Sequence, residues 1–221
     1  MSDPNRGDGR GVTRRAFFRG AGVAAATGAL LGKVPAFGEE GAPTKPAVRT
    51  QGPGPVGITL LVNGTKREIS VEPRRTLLDA LRTNIDLTGT KSVCDRGTCG
   101  ACTVFLDGVP VYACTLLAVE CEGRAITTVE GLVGEKGLHP VQEAFASCGG
   151  SQCGYCTPGF VMTSVALLAD NPAPSREEIK EAISGNLCRC TGFVKIVDAV
   201  EHAAERMRDA SAKAPLVGSK S

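Results

Sequence analysis

The chain has 221 residues and a formal net charge of +2, long enough for two small domains and without the concentrated basic run that marks a nucleic-acid binder. It contains no Trp, 28 Gly and 10 Cys. That composition argues against one large aromatic-rich core and for small domains organised partly around cofactors; the cysteine content stays below that of a disulfide scaffold.

Near the N-terminus, Arg14 and Arg15 are followed by Phe17 and Phe18, then by an Ala/Gly-rich apolar run from Ala21 to Leu31 and by Lys33. The run is too short and too weakly apolar for a transmembrane helix. The order of features predicts a twin-arginine signal over 1–36, with Val34-Pro35-Ala36 as the cleavage site. An arginine pair in front of a buried helix is the alternative. A twin-arginine signal exports a folded, cofactor-loaded protein, which places the mature chain in the periplasm and not in the membrane. Residues 37–55, rich in Gly, Pro and charge, predict a flexible linker.

A β-rich segment over 56–133 follows. Ile58 to Val62 reads as a strand, Asn63-Gly64 as a type I′ hairpin turn, and Lys66 to Val71 as the returning strand. Thr76 caps a helix with Asp79 at its third position and Leu77, Leu78 and Leu81 on its apolar side. Thr103–Leu106, Asp107-Gly108 and Val109–Tyr112 form a second hairpin, and Ala125–Val129 a last strand. Two hairpins and one crossing helix predict an α+β roll. From about Gly137 the apolar period changes from two to 3.6, and the region 137–208 predicts four helices. His139-Pro140 opens the first. Thr157 caps the second, with Pro158 at its first position. Ser175 and Glu178 form a capping box on the third, whose apolar residues are Ile179, Ala182 and Ile183 and whose stop is Ser184 to Asn186. Phe193, Val197, Val200, Ala204 and Met207 stripe the fourth. The tail 209–221 reads as disordered.

Two cysteine sets carry the chemistry. Cys94, Cys99 and Cys102, completed by Cys114, have the C-x4-C-x2-C…C spacing of a plant-type [2Fe–2S] loop. Gly97 and Gly100 suit a loop that wraps a cluster closely and turns its N–H groups toward sulfur. Cys153, Cys156, Cys188 and Cys190 form the second set. They stand just ahead of the second and fourth predicted helices, whose positive ends favour an anionic cluster. Zinc or disulfides compete with the first set only weakly, because its spacing is not that of a zinc ribbon. The second set, read alone, leaves zinc open. Cys121 and Cys148 fall outside both sets; they read as small apolar packing residues, with a disulfide between them the other reading. His139 reads as a helix-start residue, and Asp79 and Glu130 as cap and surface groups. The absence of an acid, base or nucleophile constellation predicts that the chain catalyses nothing by itself. The absence of a Gly-rich dinucleotide fingerprint predicts that it binds neither NAD nor FAD.

The motifs Gly89 to Lys91, Cys94 to Leu106, Thr128 to Leu132, His139 to Gln142, Gln152 to Gly159 and Gly185 to Gly192 closely resemble the iron–sulfur subunit of the xanthine dehydrogenase and aldehyde oxidoreductase family of molybdenum hydroxylases. The likeness covers about 56 to 205 and is nearest in kind to the small subunits of exported aldehyde oxidoreductases. It implies a ferredoxin-like β-grasp domain followed by a four-helix bundle. It also implies two [2Fe–2S] clusters: an outer one on Cys94, Cys99, Cys102 and Cys114, and an inner one on Cys153, Cys156, Cys188 and Cys190. Gln152 and Cys190 match positions that touch the molybdopterin of a partner subunit. Electrons would run from a large molybdenum-binding subunit through the inner and outer clusters to FAD in another subunit. Phe193 stands where the family commonly has Tyr. A free-standing ferredoxin-like carrier is the competing reading, although a carrier needs only the first domain. An aldehyde leads as the substrate by analogy; an N-heterocycle such as xanthine, isoquinoline or nicotinate, or carbon monoxide, is the alternative.

Overall fold

The computed structural model describes residues 52–135 and 137–213. The expected signal at 1–36, linker residues 37–51 and the tail beyond 213 lie outside them. Strand β1, Val56–Val62, returns through Asn63 and Gly64 to β2, Thr65–Val71. Both turn residues have positive φ, 50° and 76°, as a type I′ turn requires. Strands β3, Thr103–Leu106, and β4, Val109–Tyr112, are joined in the same way, with φ of 52° at Asp107 and 82° at Gly108. Pro110 is tolerated because β4 is an edge strand.

Strand β5, Ala125–Thr127, pairs in parallel with β1 and antiparallel with β3, so the sheet order is β2-β1-β5-β3-β4. The short β5 thus joins the two hairpins into one ferredoxin-like sheet. The inward residues Ile58, Leu60 and Val62 alternate along β1 and meet Leu77, Leu78 and Leu81 from the crossing segment. Helix α1, Leu77–Asp79, starts where Thr76 accepts the Asp79 N–H at 3.1 Å. It is shorter than its leucine pattern suggests and opens into a π-type turn at Ala80–Asn84. The Thr83 hydroxyl donates to the Asp79 carbonyl at 2.7 Å, a back-bond of the kind that bends helices.

Four helices follow: α2, Pro140–Ser147; α3, Thr157–Asp170; α4, Arg176–Ala182; and α5, Val194–Lys213. Their apolar faces, including Phe145, Phe160, Ile179, Ile196 and Val200, share one core. His139 caps α2 by accepting the Val141 N–H on Nδ1 at 3.2 Å. Ser175 and Glu178 cap α4 reciprocally. Helix α3 starts one residue away from expectation: Cys156 is its N-cap, and Thr157 is already helical. Helix α5 runs on to Lys213, so residues 209–213 belong to it and not to a tail. Arg176 on α4 pairs with Asp198 at 2.9 Å and with Glu201 on α5, and Arg206 of α5 pairs with Glu143 of α2. Among the described residues no helix is long and apolar enough to cross a membrane.

Two polar seams bind the sheet to the helices. In the first, Asn63 Oδ1 accepts the Thr128 N–H at 2.9 Å, while its Nδ2 donates to Thr128 Oγ1 at 3.0 Å. The Thr128 hydroxyl donates to Glu130, whose other carboxylate oxygen accepts the Gly89 N–H at 2.7 Å. Glu130 is therefore no surface group; it ties the start of the cysteine loop to the connection between sheet and helices. Gln142 of α2 extends the seam by donating to the Val129 carbonyl at 2.9 Å. In the second seam, Gly159 of α3 lies so close to Gly100 that a Cβ would overlap the Gly100 carbonyl and sit 3.0 Å from the Ala101 Cα. Replacing Gly159 by Ala overpacks a backbone-to-backbone contact that cannot swing aside. We expect Gly159→Ala to destabilise the chain by about 1–3 kcal/mol, read as a lower urea midpoint at unchanged slope.

Candidate metal centre

The first cysteine set is built by a loop that regular structure cannot make. Between Ser92 and Gly100 the chain forms no helix or strand. Asp95, Gly97 and Gly100 take positive φ of 52°, 72° and 69°, which curls the backbone so that Cys94, Cys99 and Cys102 approach Cys114 on the turn after β4. At Gly97 a Cβ would stand 2.8 Å from Thr115 Cγ2. Without one, the Gly97 N–H reaches Cys114 Sγ at 3.2 Å. Cys99, Cys102 and Cys114 are buried and Cys94 is half-buried. The Cys94 thiol lies beside that of Cys99, and the Cys102 thiol beside that of Cys114. The Thr98 hydroxyl, and after it the Arg96 N–H, bring the Cys94 thiol down to about 6. Burial does the opposite to Cys99, which is raised, and to Cys102, which is pushed up to about 12 beside Cys114.

The second set straddles the start of α3 and the turn between α4 and α5. Cys156, half-buried, caps α3. Cys188 lies in that turn, and Cys190 is separated from α5 by Thr191, Gly192 and Phe193, the last two at positive φ. Only α3 therefore presents its N-terminus directly to a thiol of this set. Here too the thiols meet two by two, Cys156 with Cys188 and Cys153 with Cys190. Burial, then the Cys188 neighbour, pushes Cys156 up to about 12. Burial also works against ionising Cys188, but the Thr191 hydroxyl at 3.0 Å and the Thr191 N–H at 3.4 Å donate to its sulfur and bring it below the ordinary thiol value. The hydrogen bond with Cys153 raises Cys190. Cys153, Cys190 and Gln152 are exposed, and Val93, Tyr155 and Leu187, with 54%, 61% and 57% of their surface open, line one small cavity with Cys153 and Cys190.

An iron of a [2Fe–2S] centre bound by cysteines takes two thiolates. Each set offers two touching pairs of thiols, with N–H or O–H donors already aimed at sulfur, and the residues fit that group. Among the described residues no three or more His, Cys, Asp or Glu side chains gather tightly enough to hold a single metal ion. All ten cysteines are free thiols. Cys121 packs in the sheet core, where burial raises its pKa to about 11, and Cys148 lies against the helical core. The pairing that exported proteins permit is not made. Several participants escape a reading based on spacing. Asn186, expected only as a helix stop, is buried; its Nδ2 donates to the Gly100 carbonyl at 3.0 Å and its Oδ1 accepts the Thr163 hydroxyl at 2.9 Å. Tyr112 donates to the Gly185 carbonyl at 3.1 Å. The one signal for these contacts was that Gly185 and Asn186 belong to the resemblance motif.

Ferredoxin-like sheet, helical half and two fourfold thiol sets together define an iron–sulfur protein of the [2Fe–2S] class. Two family models match in tandem: a 2Fe-2S iron–sulfur cluster binding domain over residues 60–125 and a [2Fe-2S] binding domain over residues 128–201. The nicotine 6-hydroxylase small subunit of Paenarthrobacter nicotinovorans is 50% identical over 66% of this chain and 87% of its own length. The aldehyde oxidoreductase iron–sulfur-binding subunit of Escherichia coli K12 is 43% identical, over 72% of this chain and 76% of its own. Among solved structures, quinoline 2-oxidoreductase from Pseudomonas putida 86 superimposes with a TM-score of 0.67 at 47% identity, covering 70% of this chain and 97% of that one. The chain belongs to the family of [2Fe–2S] small subunits of molybdenum hydroxylases.

Thiolate, not thiol, is the nucleophile that an alkylating agent modifies, so the cysteines of the metal-free chain should differ sharply in reactivity. We expect iodoacetamide to label Cys94 first, with a rate that falls as pH drops through about 6. Cys102 and Cys156 should resist labelling at neutral pH. Thr98→Val should move the Cys94 profile upward, as peptide mass mapping would show.

Proposed function

We propose that this chain is the electron-transfer subunit of an oxidoreductase complex, passing electrons from a molybdenum site in a large partner subunit toward FAD in another. Cys153, Cys156, Cys188 and Cys190 hold the inner cluster, and Cys94, Cys99, Cys102 and Cys114 the outer one. When bound, each cluster takes up and releases one electron at a time. The chain's own part is to hold the thiolates and to offset their charge, through the Gly97 N–H on Cys114, the Thr191 hydroxyl on Cys188 and the Thr98 hydroxyl on Cys94. The observation that carries the reading is the asymmetry of the two sets. Three thiols of the outer set are buried, whereas Cys153 and Cys190 of the inner set open to the surface inside an apolar rim of Val93, Tyr155 and Leu187. A rim of that kind is what a partner covers. Gln152 and Cys190 face that partner and touch its molybdopterin. The sheet region 56–133 acts as the outer-cluster domain, and the helices of 137–208 as a four-helix bundle for the inner cluster. A free carrier would have no use for this second half.

The substrate class that fits an exported member is an aldehyde. The 50% identity to a nicotine 6-hydroxylase small subunit favours a second reading, an N-heterocycle, and turnover of the purified complex on an aldehyde panel and an N-heterocycle panel separates the two. Arg14 and Arg15 support periplasmic delivery by the twin-arginine route. Arg14→Lys combined with Arg15→Lys should leave cluster-loaded chain in the cytoplasm; fractionation showing normal periplasmic yield would overturn the export reading.

Cys156→Ser should lower iron from about four to about two per chain, remove one of two low-temperature EPR signals of the reduced complex and abolish turnover, while the sheet stays folded. Normal turnover in that variant would overturn the electron path.

A further inference from the structure

The two thiol sets are not merely neighbours. The Leu187 N–H, one residue ahead of Cys188, donates to the carbonyl of Cys99 itself at 3.0 Å. Cys99 also lines the same small cavity, about 130 Å³, as Cys153, Cys156 and Cys190. No other thiol of the outer set borders that cavity. The backbone on either side of this bond is clamped by Asn186. Its Nδ2 holds the carbonyl of Gly100, the residue after Cys99, and its Oδ1 is held by Thr163 of α3. Gly100 is pinned from its own loop as well, by the Thr103 hydroxyl at 2.6 Å. Leu187 has an exposed side chain, so its inward contribution at this point is its N–H. Asn186 is 2% exposed, and a buried amide lacking its partners would cost free energy. The side chain is committed to these two bonds.

We propose that the Cys99 carbonyl and the Leu187 N–H form the bonded bridge between the two clusters, and that Asn186 is the positioning residue that keeps the bridge closed. The inference rests on the electron-transfer reading above. In the step concerned, one electron leaves the reduced inner cluster, which is oxidised, and enters the oxidised outer cluster, which is reduced; no bond is made or broken and no proton is required. Electronic coupling decays less along covalent and hydrogen bonds than across an open gap. A backbone hydrogen bond between a residue that carries one set and the neighbour of a residue that carries the other therefore shortens the effective path. Asn186 touches neither sulfur set and acts only by fixing the two loops.

The test uses the complete complex with wild-type chain, Asn186→Ala, Thr163→Val and Leu187→Ala. Iron per chain, the magnetic splitting between the two reduced centres in low-temperature EPR, and freeze-quench appearance of the outer-cluster signal are measured together. We expect Asn186→Ala to keep its iron but to lose most of the splitting and fill the outer cluster severalfold more slowly. Thr163→Val, which frees the Asn186 amide without touching either loop, should shift both readouts in the same direction by less. Leu187→Ala trims the rim that the partner covers but keeps the N–H, so it should leave the splitting between the two centres unchanged. Unchanged splitting and filling in an iron-replete Asn186→Ala would overturn the proposal. If that variant loses iron, an iron-replete Thr163→Val that behaves as wild type overturns it instead. A wild-type complex lacking two reducible iron centres would sink the electron-transfer reading, a result distinct from either.

Discussion

Eight sulfurs that each prefer water or an apolar pocket have to be gathered into two small volumes, and the backbone of Gly100 is where that demand is met. Its positive φ of 69° turns the first cysteine loop, its carbonyl receives Asn186 and Thr103, and its bare Cα lets α3 approach through Gly159. A side chain at either glycine would separate sheet from helices at the position where the two thiol sets meet. Both cores, the one under β1 and the one among α2 to α5, are ordinary apolar packing. What makes them serve one purpose is this polar and glycine-lined contact between them.

Charge follows from the same arrangement. Thiolates crowded together resist ionisation, and burial resists it further, as the raised values of Cys102 and Cys156 show. The chain answers with donors placed at selected sulfurs: Thr98 on Cys94, Gly97 on Cys114 and Thr191 on Cys188. Metal binding requires the deprotonated ligand, so these donors favour loading at the positions where the chain curls most tightly. Such donors also tune the reduction potential once a cluster is bound. Both turns thus combine a reversed backbone stretch with a hydroxyl or N–H aimed at sulfur.

Much of the local structure was legible because it rests on short-range physics. Asn63-Gly64 and Asp107-Gly108 set their turns by tolerating positive φ. Thr76, His139 and Ser175 each satisfy a free N–H at the start of a helix, and the leucines of α1 fall on one face whatever lies opposite. Two of the errors are of the same local kind. Thr83 competes for a helix carbonyl and opens α1. The chain's pattern placed the N-cap of α3 at Thr157, where Cys156 occupies it. Glu130 looked like a surface acid because nothing in its neighbourhood announces Gly89, forty-one positions earlier, as its partner.

That the first set suits iron and sulfur was already written in its spacing and in the glycines within its loop, because its three leading ligands lie within nine residues of one another; the second set, split by thirty-one residues between Cys156 and Cys188, was assigned to iron through the family resemblance, its spacing alone leaving zinc open. How the sets stand to each other was not written in either spacing. The bond from Leu187 to Cys99 spans the whole distance between the two motifs, and Asn186 reaches across eighty-six positions to Gly100. The exposure of Cys153 and Cys190 against the burial of Cys99, Cys102 and Cys114 likewise depends on which surfaces the sheet and the helices leave uncovered. Burial and long-range pairing are properties of the assembled chain, since each depends on atoms brought close only when both cores have formed.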